Sequence, residues 1–328
     1  MKKIVYFLAM LLVLTLTMVQ ASVWAADMPL KFKAVTFSPV KDSIVAGFRI
    51  FADKVNEKFK DYINIQPIGG PEVIPPFQLH EAVRSGVIDM CLTSCAYYPS
   101  LLWVAQTVMF TNKDFREIAK TNYFEIMHEL HKQVGLIWLG SCTQSMTFHL
   151  FTNIRASSPY DFAGKRIRVF PAFIPLTKAL GATPVTLPMG DIYTAMQRGT
   201  VDGFFMTHFG FVTDFSWHEV TKYVVDYDLY EASAVILVNP EKWQKLPVDI
   251  QKAIIKYKKE VVDPAIAEYY KREGLKEWNL MLEKGVKPIT FSPKDAELFL
   301  KLAYDSAWDY IISKEPELGL KLKQMLVK

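Results

Sequence analysis

Cysteine is scarce in this chain: three residues, Cys91, Cys95 and Cys142, with no spacing that repeats. That argues against a thiolate zinc site. A bond between two of them is open to an exported protein, although Cys91 and Cys95 would need a tight turn to meet. Small buried apolar residues are the plainer reading. No basic tract with interleaved aromatics occurs. Lys2 and Lys3 supply half of the net charge of +4, so the rest is close to neutral and nucleic acid is not the expected partner. There is no Gly-x-Ser-x-Gly elbow and no phosphate-cradling glycine loop. His128 and His131 stand three apart near Glu125 and Glu129, but without a metalloprotease pattern they read as a solvated helix face, so no metal and no cofactor is expected. Beyond the first 26 residues no stretch is long and apolar enough to cross a bilayer.

What the N-terminus does contain is an export signal. Met1-Lys2-Lys3 is basic, Ile4 to Val19 is almost wholly apolar, and Ala21 to Ala26 supply small residues, with Val23-Trp24-Ala25 the best cleavage match. Residues 1–26 therefore read as a signal peptide cut near Ala25 or Ala26. An uncleaved anchor is the rival, for which the apolar run is borderline in length. Without a cysteine at the cleavage region a lipid anchor is not indicated. The mature chain is expected to be soluble and periplasmic, with no stable membrane insertion.

Strand and helix patterns alternate along the remainder. Lys31 to Phe37 reads as a strand, Ile44 to Phe59 as a helix, Tyr62 to Ile68 as a strand, Phe77 to Arg84 as a helix and Val87 to Leu92 as a strand. A helix follows over Asp114 to Leu130, then strands over Val134 to Leu139 and Met146 to Phe151. The second half repeats the scheme: strand Arg166 to Val169, helix Ile174 to Leu180, strand Thr183 to Leu187, helix Asp191 to Arg198, strand Val201 to Met206. A long helical stretch from about Val248 to Glu283, interrupted or kinked at Pro264, a short strand over Val286 to Thr290 and a helix over Pro293 to Ile312 complete it. Short connections imply an α/β chain with mostly parallel sheets. His80 to Asp89 echoes Tyr193 to Asp202: each runs amphipathic helix, glycine, apolar strand, aspartate. Two domains on one plan, with a cleft between them, would produce that echo.

The most informative stretch is Gly164 to Gly203. Gly164-Lys165-Arg166-Ile167-Arg168-Val169 places a guanidinium on a short strand, where burial is costly unless an anion compensates. Periodicity puts Arg166 and Arg168 on the same side of the strand, roughly 6–7 Å apart, and does not choose between them. The chain resembles the extracytoplasmic solute-binding proteins of TRAP transporters, the DctP-type receptors for organic acids. The likeness lies in Gly164-Lys165-x-Ile167-Arg168-Val169, Leu180-Gly181-Ala182-x-Pro184-Val185, and Tyr193-x-Ala195-Met196-Gln197-x-Gly199-x-Val201-Asp202-Gly203. Weaker matches are Glu81-Ala82-Val83-x-x-Gly86-x-x-Asp89, Thr152-Asn153 and Trp243-x-x-Leu246-Pro247.

The resemblance implies a two-lobe periplasmic-binding-protein-like α/β fold with mixed sheets, hinge strands and a long helix spanning both lobes. The first lobe would comprise 27–146 plus about 233–272, and the second 147–232 plus about 273–328. It also implies that Arg168 anchors a carboxylate and that the closed protein hands its ligand to TRAP membrane subunits. Arg166 is expected to pair with an acidic side chain such as Asp161 or Asp191. The chain departs from the family where a polar run usually follows the Asp-Gly pair: here stand Phe204, Phe205 and Met206. A second arginine used by some members would fall near Phe148 and His149 and is absent. The candidate ligand-binding set is therefore Arg168, Phe148, Phe173, Phe205, Met206, Ser94, Tyr97, Phe37, Met189 and Tyr227. A pocket with one charged end and an apolar body points to an aromatic or otherwise apolar monocarboxylate. A secreted enzyme acting on a small carboxylic acid and a sensor-associated binding protein are the alternatives.

Overall fold

The computed structural model describes residues 29–328; the expected signal peptide and its cleavage position lie outside the described residues. Two sheets, each flanked by helices, form two lobes. β1 (Leu30–Thr36), β2 (Ile63–Gly69), β3 (Met90–Ser94), β4 (Ile137–Ser141) and β10 (Ala234–Val238) make the first, in the order β2-β1-β3-β10-β4. The second contains β5 (His149–Thr152), β6 (Arg166–Val169), β7 (Thr183–Thr186), β8 (Gly203–Met206), β9 (Tyr223–Val225) and β11 (Lys287–Ile289), in the order β11-β9-β5-β8-β6-β7. The sheets are mixed rather than mostly parallel: β5 and β10 each run antiparallel to both neighbours. These are the strands that receive the chain after it crosses between lobes, so they enter their sheets from the cleft end. The crossing segments pair with each other through Phe148 N–H to Tyr230 O (3.1 Å), Leu229 N–H to Phe148 O (3.0 Å) and a bridge between Thr147 and Glu231.

The internal echo has a physical basis. Asp89 accepts a hydrogen bond from Lys33 N–H (2.8 Å) at the start of the β1–β3 pairing, and Asp202 accepts one from Arg166 N–H (2.8 Å) at the start of β6–β8. Each aspartate returns the bond, donating its own N–H to the same residue's carbonyl. The preceding glycines, Gly86 and Gly199, have φ of +77° and +63°, the left-handed conformation that ends a helix at little steric cost. Gly203 answers a different need. A Cβ there would sit 2.6 Å from Phe151 O, so β5 and β8 could not approach.

Three elements differ from the sequence reading for local reasons. The helix expected over Asp114 to Leu130 is two, Phe115–Ile118 and Tyr123–Gln133. Asp114 caps the first with a capping box, and the Thr121 hydroxyl, donating to Ile118 O (2.7 Å) and accepting from Tyr123 N–H (3.2 Å), closes one turn and starts the next. The Val248 to Glu283 stretch is broken by a π-turn at Lys258–Val262 rather than kinked by Pro264. The proline sits in the first turn of helix Asp263–Glu283, where its missing N–H costs nothing. That helix braces both lobes: the Tyr270 hydroxyl donates to Ile44 O and accepts from Gly47 N–H (both 2.9 Å), while the Glu277 carboxylate accepts from Val212 and Thr213 N–H (2.7 and 3.1 Å). Finally, the strand expected over Val87 to Leu92 lies at Met90–Ser94, beyond the turn that Asp89 closes.

His131 is core, not a solvated face. Its Nδ1 donates to Met127 O (2.6 Å), its Nε2 meets the Tyr98 hydroxyl (3.0 Å), and its ring stacks on Trp138. Burial lowers its pKa to about 4, so it is neutral with both nitrogens engaged. The His128 ring bonds to Trp138 O (3.1 Å). The three cysteines are free and buried, and burial pushes the Cys95 and Cys142 thiols up to about 12. No described helix is long and apolar enough to cross a membrane.

Candidate functional site

β6 is four residues long, and its first and third residues fare differently. Arg166 stands at the entrance to the strand and is half-exposed, bonding Gly199 O (2.7 Å) and pairing with Asp202 (3.4 Å). Neither Asp161 nor Asp191 is its partner; Asp161 instead caps the backbone at Ser157 and Ser158. Arg168 sits deeper, between β7 and β8 in register with Val185 and Phe204, and is 0% exposed.

The surroundings of Arg168 leave it short of partners. Nε and Nη2 both donate to Leu187 O (2.9 and 2.7 Å), and Nη1 donates to Phe205 O (3.3 Å). A guanidinium has five N–H groups; the two carbonyls take three of them, and the Tyr97 hydroxyl is its side-chain hydrogen-bond partner. None of the ion pairs among the described residues includes it. Burial lowers its pKa, opposed by Tyr97 and, more weakly, by Asp191. The Phe170 ring lies under the guanidinium at 5.6 Å. Enclosed cations normally carry a counter-ion, because desolvation costs several kcal/mol. Arg168 is held in position by neutral oxygens alone, those of Leu187, Phe205 and Tyr97.

Beside it the carboxyl ends of β1, β3, β6 and β8 converge, the place where open α/β sheets receive ligands. Between them is a narrow cavity of about 30 Å³ lined by Phe37, Ile44, Ser94, Tyr97, Thr143, Met146, Phe148, Phe170, Met206, Thr207, Ala232, Ser233 and Ala234. The lobes touch around it. Tyr97 packs edge-on to Phe170 (6.3 Å) and Asp214 of the second lobe accepts from Ser43 N–H (2.7 Å) at the head of the helical segment that begins there.

Of the residues singled out in the sequence, Phe37, Ser94, Tyr97, Phe148 and Met206 line this cavity, with Arg168 immediately behind Phe170. The others do not line it. Phe173 and Phe205 are stacked on one another (4.4 Å) in the core of the second lobe, fully buried. Met189 is buried in the turn Met189–Asp191. Tyr227 stacks on Phe291, whose N–H it accepts (2.7 Å). The alternation of β8 explains Phe205: Phe204 and Met206 face one way and Phe205 the other. Sequence reasoning passed over Phe170, Thr207 and Ser233. The position of Phe170, just past the end of β6, was the signal available for it. Arg166→Ala is expected to leave ligand affinity unchanged and to cost under about 1 kcal/mol, because the ion pair is solvated; calorimetric titration beside thermal melting checks both.

Residues 34–315 match the family model described as bacterial extracellular solute-binding protein, family 7 (DctP). Among curated proteins, the chain is 28% identical to a solute-binding protein of Roseobacter denitrificans over 155 residues, covering 46% of this chain and 45% of that relative. It thus spans less than half of that relative's length. It is 21% identical over 299 residues to a monocarboxylate 2-oxoacid-binding periplasmic protein of Nostoc sp., covering 87% of this chain and 80% of that protein. Its fold is that of a TRAP periplasmic solute-binding protein from Desulfovibrio salexigens with bound orotic acid: TM-score 0.81 at 19% identity, over 90% of this chain and 97% of that one. The family and the fold are those of receptors, not enzymes. With the family match running through both sheets and the cavity between them, the chain belongs to the DctP family of bacterial extracellular solute-binding proteins.

Proposed function

We propose that this protein captures a small organic monocarboxylate in the cavity between its lobes and delivers it to the membrane subunits of a TRAP transporter. The observation that carries this reading is Arg168, buried without a counter-ion among the described residues and held only by carbonyls and the Tyr97 hydroxyl. A guanidinium pairs with a carboxylate through charge-assisted, often bidentate, hydrogen bonds, which is what makes arginine effective at that task. No side chain lining the cavity is charged, so a second carboxylate would have no partner there.

The walls are apolar, and Phe37, Phe148, Phe170 and Met206 would enclose a hydrocarbon body. With about 30 Å³ available in this closed form, against the roughly 150 Å³ of a cavity that takes benzene, a short aliphatic body suits the site better than an aromatic ring. The lobes assigned from the sequence, 27–146 with about 233–272 and 147–232 with about 273–328, would close as units about the paired crossing segments. The contacts of Tyr97 with Phe170 and Ser43 with Asp214 are made only when they do. Export with signal cleavage near Ala25 or Ala26 completes the reading.

A thermal-shift screen of the mature protein against aliphatic, aromatic and sugar acids tests it. At a hundredfold excess over its dissociation constant a ligand adds about 2.7 kcal/mol of apparent stability. Short monocarboxylates are expected to give that shift. A shift only with dicarboxylates or sugar acids would overturn the proposal.

A further inference from the structure

The hydroxyls around the cavity are not equally occupied. Thr143 is fully engaged, donating to Ala232 O (2.8 Å) and accepting from Ala234 N–H (2.9 Å). Ser94 accepts from Ala96 N–H (3.2 Å). Among the described residues, Thr207 Oγ1 and Ser233 Oγ are buried without a hydrogen-bond partner, apart from the weak Cys95 thiol beside Ser233. Thr207 is 0% and Ser233 4% exposed, so bulk water does not reach them, and both line the cavity. Buried hydroxyls are normally satisfied, because leaving one unpaired forfeits its hydration for nothing. The two come from opposite sides: Thr207 follows β8 in the second lobe and Ser233 precedes β10 in the first.

Thr207 is also tied to the anchor by chain geometry. Arg168 Nη1 donates to Phe205 O, and Thr207 lies two residues further on, a span of about 7 Å in extended chain. A group satisfying Thr207 thus stands only a few bonds from a carboxylate on Arg168. We infer that the ligand carries, besides its carboxylate, one uncharged oxygen on the first or second carbon beyond it, and that Thr207, joined by Ser233 on closure, selects for that oxygen. The ligand class is a short hydroxy or oxo monocarboxylic acid. A sugar acid has more hydroxyls than two side chains satisfy, and a plain fatty acid leaves both unpaired. This inference rests on the reading of Arg168 as the carboxylate anchor.

The test is calorimetric titration of the mature protein with butyrate, α-hydroxybutyrate, β-hydroxybutyrate and α-ketobutyrate. The set is repeated for Thr207→Val, Thr207→Ser, Ser233→Ala and Arg168→Ala. The wild type is expected to bind at least one oxygenated acid about tenfold or more tightly than butyrate. Thr207→Val, which keeps the shape, brings that ratio close to one; Thr207→Ser retains the ratio, and Ser233→Ala reduces it. Equal binding of butyrate and all three oxygenated acids by the wild type overturns the inference, as does a ratio that survives Thr207→Val, and either result leaves the carboxylate reading standing. Undiminished binding by Arg168→Ala overturns that reading itself. Wild-type protein that binds none of the four acids overturns the assigned ligand class.

Discussion

Arg168→Ala is expected to abolish ligand capture, weakening binding by two to three orders of magnitude. Removing one member of a buried, hydrogen-bonded charge pair costs about 3–5 kcal/mol, because the other charge is left desolvated and alone. Here the stranded charge would be the ligand's carboxylate, in a cavity whose lining side chains are all neutral. The unliganded protein should respond quite differently. Without ligand Arg168 is itself the uncompensated charge, held by Leu187 O, Phe205 O and the Phe170 ring. Arg168→Met, which keeps most of the packed volume, should therefore melt no lower than the unliganded wild type while showing no ligand-induced shift. Arg168→Lys keeps the charge but cannot serve Leu187 O and two carboxylate oxygens in one plane, so its affinity should fall between those of the wild type and Arg168→Ala. Titration calorimetry and thermal melting with and without ligand separate these effects. Binding by Arg168→Ala within tenfold of the wild type would remove the anchor.

The sequence made some of this legible. β6 was readable to the residue because Gly164 and Pro171 bracket Arg166-Ile167-Arg168-Val169. The turns at Gly86 and Gly199 were readable because a glycine after an amphipathic helix has few other uses. What separates Arg166 from Arg168 was not readable, since strand periodicity places them on one side. Depth decides it, and depth comes from β7 and β8 flanking Arg168 while Asp202 waits at the strand entrance for Arg166. β10, the five-residue run Ala234-Val235-Ile236-Leu237-Val238, escaped because a wholly apolar segment has no period. Phe173 and Phe205 had the right chemistry for a pocket wall and the wrong facing. Thr207 and Ser233 are ordinary hydroxyls in sequence; that neither has an oxygen or nitrogen partner among the described residues shows only in the folded chain.

Lys258→Met is expected to destabilise the protein by about 3–5 kcal/mol, the cost of stripping one partner from a buried ion pair. Lys258 is 4% exposed, and its Nζ lies 2.6 Å from Asp263 Oδ1 and 2.8 Å from Ser141 O. The two residues are five apart, and the π-turn at Lys258–Val262, with its i to i+5 bonding, brings such residues one above the other. An uninterrupted α-helix would turn them away from each other. Burial, the largest single influence, pulls the ammonium's pKa down, but the Asp263 charge, Cys142 and the hydrogen bond to Asp263 together outweigh it and the pKa is raised. Burial raises Asp263 despite Lys258, so without the lysine that carboxylate should hold a proton more tightly still. A carboxyl whose pKa is higher folded than unfolded loses stability as pH rises and regains it as pH falls. The deficit of Lys258→Met against wild type should therefore be largest at neutral pH and shrink toward the ordinary carboxylate range. Adding Asp263→Leu should recover most of the loss at neutral pH, since an apolar pair of similar volume often matches a buried ion pair. Ser141 ends β4, where the chain leaves the first lobe for the second, so this pair fastens the bridging helix to the crossing point. Ligand affinity at a temperature where the variant is folded should change with it, because the hinge loses its fixed attachment. A variant melting with the wild type at neutral pH would show that the π-turn holds without its ion pair.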